Sequence, residues 1–183
     1  KDDKDYEFVV ANSATGNKTV FPKIVLTGRF VKILYKGSYG FIYTGFLSKL
    51  QPMKEREGLD GHFNRTLGQL QVIDRSKENS ENKFKRIVYK NGVISQHVRG
   101  SENWWSNLYL IPDISLREAY LLINRLTGFE ENYKRSLNEG STWIETHPTK
   151  FEPNEIVLQS SAFEEIVIQM KNSYVVITMD GGN

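Results

Sequence analysis

Residues 84–99 read FKRIVYKNGVISQHVR, and how they pair decides the fold. Two runs rich in β-branched and aromatic residues, 84–90 and 93–99, flank Asn91-Gly92. Asn-Gly in that setting predicts a two-residue β-hairpin, because a type I′ turn needs positive φ at both central positions. Antiparallel pairing is thus expected here, and the flanking sequence extends it. Residues 104–111 form a further strand closed by Pro112, and 67–73 form one upstream. Closer to the N-terminus, 6–11, 24–26 and 30–35 have strand composition. The turn at Lys36-Gly-Ser-Tyr-Gly40 leads into 41–46, giving a second hairpin crowded with Tyr35, Tyr39, Phe41, Tyr43 and Phe46. Residues 48–66 read as a long charged connection with one helical turn, and 76–82 as a polar loop.

The period changes after Pro112. Ser115-Leu-Arg-Glu118 is a capping box, in which the serine side chain meets the N3 amide and the glutamate reaches back to the serine amide. Leu116, Ala119, Tyr120, Ile123 and Leu126 then recur at helical spacing until Gly128. A second, shorter helix follows on Phe129, Tyr133 and Leu137, and strands resume at 142–145, 155–158, 166–170 and 174–179. Strands, a helical hairpin over about 115–139, then more strands define an α+β fold. The expected sheet is mainly antiparallel, or a partly closed barrel, in a single domain of residues 6–183 behind a disordered charged tether of residues 1–5.

Composition narrows the classes of function. The chain has 183 residues, 39% hydrophobic, 12% aromatic and 25% charged, enough for a sizeable core. No apolar run approaches the roughly 18 residues of a membrane span. The absence of cysteine excludes a disulfide scaffold, a thiol nucleophile and thiolate zinc sites. The opening Lys1-Asp-Asp-Lys-Asp5, with no initiating methionine, suggests a mature lipoprotein-like or secreted chain of the bacterial cell envelope, outside the cytoplasm (periplasmic, cell-surface or secreted).

Charge is distributed unevenly. Residues 18–100 carry 16 Lys/Arg and 6 Asp/Glu, a net of +10, within a chain whose formal charge is +2. The densest basic run is Lys83, Lys85, Arg86 and Lys90, interleaved with Phe84 and Tyr89. Cations beside aromatics suit single-stranded nucleic acid, through phosphate contact and base stacking. The competing reading is a solvated edge hairpin whose lysines block unwanted pairing. Tyr39, Tyr43, Trp104, Trp105 and Tyr109 are candidates for an apolar ligand or peptide, against plain core packing. Adjacent Trp104 and Trp105 must point to opposite faces of their strand.

Catalytic patterns are thin. Of the three histidines, His62 follows Asp60, which could orient its imidazole; His97 stands alone in a strand; His147-Pro148 falls in a loop. Glu130-Glu131 and Glu164-Glu165 diverge on any regular element and form no dyad. Neither a dinucleotide fingerprint, a Walker loop nor closely spaced histidines occur, so no cofactor and no metal is expected. The expectation is a non-enzymatic binding or interaction domain engaging a protein or an apolar small molecule. A nucleic-acid-associated protein using the basic region is the alternative, and a hydrolase-type enzyme with a non-local site the third.

Overall fold

The computed structural model describes residues 5–11, 14–16, 19–75, 83–100, 103–138, 147–160 and 163–182. The chain begins with β1 (Tyr6–Ala11), β2 (Ala14–Gly16), β3 (Thr19–Phe21) and β4 (Ile24–Gly28). Next come β5 (Phe30–Tyr35), β6 (Ser38–Tyr43), a 3-10 turn at Thr44–Phe46 and α1 (Leu59–Thr66). A first meander follows: β7 (Gln69–Asp74), β8 (Lys83–Tyr89), β9 (Ile94–Arg99) and β10 (Trp105–Pro112). Helices α2 (Leu116–Thr127) and α3 (Phe129–Asn138) precede the second meander. It consists of β11 (His147–Glu152), β12 (Glu155–Ser160), β13 (Phe163–Lys171) and β14 (Tyr174–Gly181).

The two meanders form one open eight-stranded sheet of order β11-β12-β13-β14-β10-β9-β8-β7, antiparallel throughout. Each meander is preceded by helix, and the last strand of one pairs with the last strand of the other. The fold is α+β and mostly antiparallel, with the helical hairpin ahead of the C-terminal strands and the sheet not closed into a barrel. No helix among the described residues is long and apolar enough to cross a membrane.

One face of the sheet holds the core, and its rows differ in character along their length. Ile87, Ser95, Tyr109, Ile177, Ile168 and Ile156 stand opposite one another in adjacent strands. The next row runs Lys85, His97, Asn107, Met179, Ile166 and Leu158. The second meander is apolar in both rows and lies under α2, against which α3 packs; Tyr120, Ile123, Phe129 and Tyr133 of the two helices are fully buried. The first meander turns polar, and α1 covers it. Ser115 and Glu118 make both halves of the capping box, as the sequence indicates. Glu130 joins the two helices, its Oε1 accepting from Tyr120 Oη at 3.1 Å and Asn124 Nδ2 at 3.0 Å.

Several local expectations are corrected. The turn at Asn91-Gly92 is a three-residue loop, Lys90–Gly92, with Asn91 at φ 70° and Gly92 at φ 76°. Tyr89 N donates to Val93 O, and Val88 pairs with Ile94. The positive φ values are those the dipeptide favours, but one extra residue changes which face of β9 looks inward. Residues 59–66 form a full eight-residue helix instead of one turn in a loop. Its Leu59, His62 and Phe63 are buried, so packing overrides the weak propensity of a segment containing Gly61. His147-Pro148 belongs to β11, an edge strand, where Pro148 is tolerated beside a bulge before Lys150. The strand expected at 142–145 and most of the tether lie outside the described residues.

Candidate functional site

Strands β5 and β6 pair with each other and with no other strand among those described. Six residues per strand make an arm about 20 Å long. Phe30 faces Tyr43, Lys32 faces Phe41 and Leu34 faces Tyr39, which puts these six side chains on one side. Phe41 is 72%, Tyr39 71% and Leu34 61% exposed. Lys32 Nζ lies 4.2 Å from the Tyr39 ring centroid. No Asp or Glu occurs between Glu7 and Glu55, so no acidic side chain of the arm's own segment interrupts this face.

The arm is rigid at its root. Tyr43 is buried, and its hydroxyl reaches Leu26 O at 2.6 Å and Tyr6 O at 2.7 Å. Arg29 N donates to Thr44 Oγ1, and Thr44 N returns to Arg29 O, both at 2.9 Å. Gly28 and Gly45 meet backbone to backbone: a Cβ on Gly28 would stand 2.4 Å from Gly45 N. From this root a chain of rings continues the apolar face, with Phe30 and Tyr43 centroids 5.3 Å apart and Tyr43 and Phe46 5.4 Å apart. Phe46 and Leu47 then wall a groove of about 340 Å³ between residues 46–53 and α2. Leu50, Pro52, Met53, Leu121 and Leu122 supply the rest of its apolar lining, and Arg125 is the cation on its border.

A separate polar cluster sits under α1. His97 Nδ1 is 2.7 Å from Asn107 Oδ1, and Asp60 Oδ2 is 2.7 Å from His97 Nε2. The second contact is a close ion pair. An imidazole facing an acceptor on each nitrogen is favoured in its protonated form. Asp60 accordingly raises the His97 pKa above 6.5, against burial and the nearby Lys85. Burial pushes the Asp60 carboxyl up, but His97 and the hydroxyls of Ser95 and Tyr89 outweigh it and hold it below the ordinary value. Tyr89 is pushed up to about 12, first by burial. Tyr109, whose ring centroid lies 5.8 Å from that of His97, is raised by burial as well.

This geometry fixes a pH window for α1. The Asp60 contribution is present above pH 3.8 and fades as pH falls through the lowered folded value. The His97 contribution is present below pH 6.5 and fades as pH rises through its raised folded value. Amide exchange at His62, whose N–H donates to Gly58 O at 2.9 Å, should therefore lose protection, after correction for intrinsic rate, as pH rises through the raised His97 value; below pH 6.5 the buried His62, whose own value is lowered, offsets part of the gain. His97→Gln should abolish the alkaline change alone. A His97 resonance titrating below 6.5 would contradict the ion pair.

The aromatic candidates do not converge. Tyr39 is on the arm and Tyr43 at its root; Tyr109 is buried against Phe63 and His97; Trp104 is exposed. Trp105 lies over Gly181, where a Cβ would come within 2.3 Å of its indole. Of the basic run, Lys83 and Lys85 share the inner face, while Arg86 belongs to the opposite face and Lys90 to the loop. Asp60 serves His97 on a distant strand instead of its neighbour His62. His62 is fully buried, and burial pushes its pKa below 6.5; its Nδ1 faces Glu57 Oε2 at 3.6 Å and Arg65 Nη2 at 3.3 Å. Arg65 clamps Glu57 through contacts of 2.7 and 2.8 Å, and holds that carboxyl at about 2. The sequence reading did not single out Phe30, Leu34 or Asn107; the run of residues 8–54 without an acid is the signal that marks the first two.

No family model, no curated protein and no solved structure matches this chain.

Proposed function

We propose that this protein is a non-enzymatic binding domain that engages an apolar partner, a protein surface or a small molecule, through the β5–β6 arm and the groove at its root. We place it in the bacterial cell envelope or the secreted space. The observation that carries this reading is the exposed face of Phe30, Leu34, Tyr39 and Phe41, continued by the Tyr43 and Phe46 rings into the groove. Soluble proteins rarely leave a contiguous apolar surface of this kind uncovered unless it binds something. Burying one such side chain is worth about 1.5–3 kcal/mol, so a partner covering this face gains several kcal/mol. The Gly28–Gly45 contact and the Tyr43 hydroxyl hold the arm in one position before binding, which reduces the entropy lost on association.

The test uses 1-anilinonaphthalene-8-sulfonate, an aromatic amphiphile, with the natively folded protein. Enhanced probe fluorescence is expected, falling several-fold in Leu34→Ser/Phe41→Ser with no change in melting temperature, because neither side chain belongs to the core. Probe binding that is absent, or equal in both proteins, overturns the arm as the binding surface. Fractionation of the native host tests the location, and a wholly cytoplasmic pool would overturn that part.

A further inference from the structure

The inner face of β8, β9 and β10 continues past α1 as an open shelf of about 340 Å³, bordered by Lys83, Lys85, His97, Arg99, Trp105 and Asn107. Its charge arrangement is unfavourable for the fold alone. Lys83 stands directly opposite Arg99, and Lys85 directly opposite His97; like charges in such pairs are destabilising. Asp60 answers His97, and Asp74 faces Lys85 from β7. Lys83 and Arg99 have no acid in register, and neither they nor Lys85 forms an ion pair among the described residues. Trp105 is the next residue in their row, pairing with both Arg99 and Gly181, and its indole rests on Gly181 at the border of the shelf. Asn107 turns its carbonyl to His97, which leaves its amide N–H groups for the shelf.

Cations that form no ion pair among the described residues, beside a flat aromatic on a sheet, suit a phosphate joined to a planar ring. We infer that the shelf binds a nucleotide unit, with its phosphate among Lys83, Lys85 and Arg99 and its base stacked on Trp105. A single-stranded nucleic acid and a free nucleotide share this chemistry. The site is independent of the arm, from which it differs in every residue.

Fluorescence anisotropy of a short labelled oligothymidylate with the full chain, from about 50 to 200 mM salt, tests the inference. Three phosphate contacts on a single strand predict a log–log salt slope of about −2. Lys83→Gln/Lys85→Gln/Arg99→Gln should weaken binding at least about tenfold near 50 mM salt and bring the slope close to zero. The same variant removes like-charge pairs and should melt no lower than the wild type, so lost binding cannot be ascribed to unfolding. Trp105→Leu should weaken binding about tenfold while leaving the slope in place. Competition by thymidine monophosphate at equal affinity identifies a free nucleotide as the ligand, and competition only by longer strands identifies nucleic acid. No binding near 50 mM salt, indifference to the triple substitution, or competition by inorganic phosphate with no effect of Trp105→Leu would each overturn the inference. Leu34→Ser/Phe41→Ser should leave this binding unchanged, which separates its fate from that of the arm.

Discussion

Replacing Glu118 with alanine is expected to lower the unfolding free energy by about 3 kcal/mol, the largest loss from a single polar side chain. The carboxylate is buried and collects donors from two segments far apart in sequence. Oε1 accepts from Lys49 N at 2.6 Å and Ser48 Oγ at 3.3 Å; Oε2 accepts from Ser115 N and Ser115 Oγ, both at 2.9 Å. Alanine would leave the Lys49 and Ser115 amides without their acceptor and delete half of the capping box at the start of α2. Burial pushes the carboxyl up, but these donors outweigh it and hold it below 4.5. Its contribution is thus complete above pH 4.5 and fades as pH falls through the lowered value. For a chain of this length the loss corresponds to a melting temperature lower by about 6–12 °C. Glu118→Gln should recover only part of it, since the amide turns an N–H group toward donors. A loss below about 1 kcal/mol for alanine would show that the connection before α1 is held by something else.

Phe63→Ala should be comparably costly, at about 3–5 kcal/mol. Phe63 is fully buried and is the central contact of α1 with the sheet, its ring centroid 5.7 Å from Tyr89 and 6.2 Å from Tyr109. Alanine there leaves a void between aromatic rings that cannot all shift to fill it. Because α1 also carries Asp60, loosening the helix should let the His97 pKa fall back toward 6.5, readable by NMR in the same variant. Phe63→Ala with Asp60→Asn should then cost less than the two single losses added together. Strict additivity would mean that the helix and the ion pair are independent.

What was legible in the sequence was local. The capping box, the recurrence of Leu116, Ala119, Tyr120 and Ile123, and the stop at Gly128 name α2 almost to the residue. The composition of residues 84–99 likewise locates β8 and β9. Loop length was not legible, because Asn91-Gly92 adopts positive φ in both a two-residue and a three-residue turn. That one residue decides whether Ser95 and His97, or Ile94, Gln96 and Val98, face inward with Ile87. The alternation of β9 would favour the second choice, but the observed register takes the first. The Asp60–His97 contact follows from that register and from the placement of α1, neither of which is encoded nearby. The arm shows the same limit. Its strands were readable, while the exposure of Phe41 and Tyr39 is a property of the assembled fold.

The order β11-β12-β13-β14-β10-β9-β8-β7 bears on how quickly the chain finds its structure. Within each meander every partner is the next strand along, so pairing can proceed by short loop closures. Within this sheet the β10–β14 seam alone joins strands far apart in sequence, from Pro112 with Tyr174 to Trp105 with Gly181. Closing a loop of that size instead of a hairpin adds roughly 2 kcal/mol of entropic cost, since the penalty grows only logarithmically with length. The topology therefore keeps contact order low for a sheet of eight strands and confines the slow search to one strand pair. Each half can gather its own helix first, and the seam then brings two nearly finished halves together.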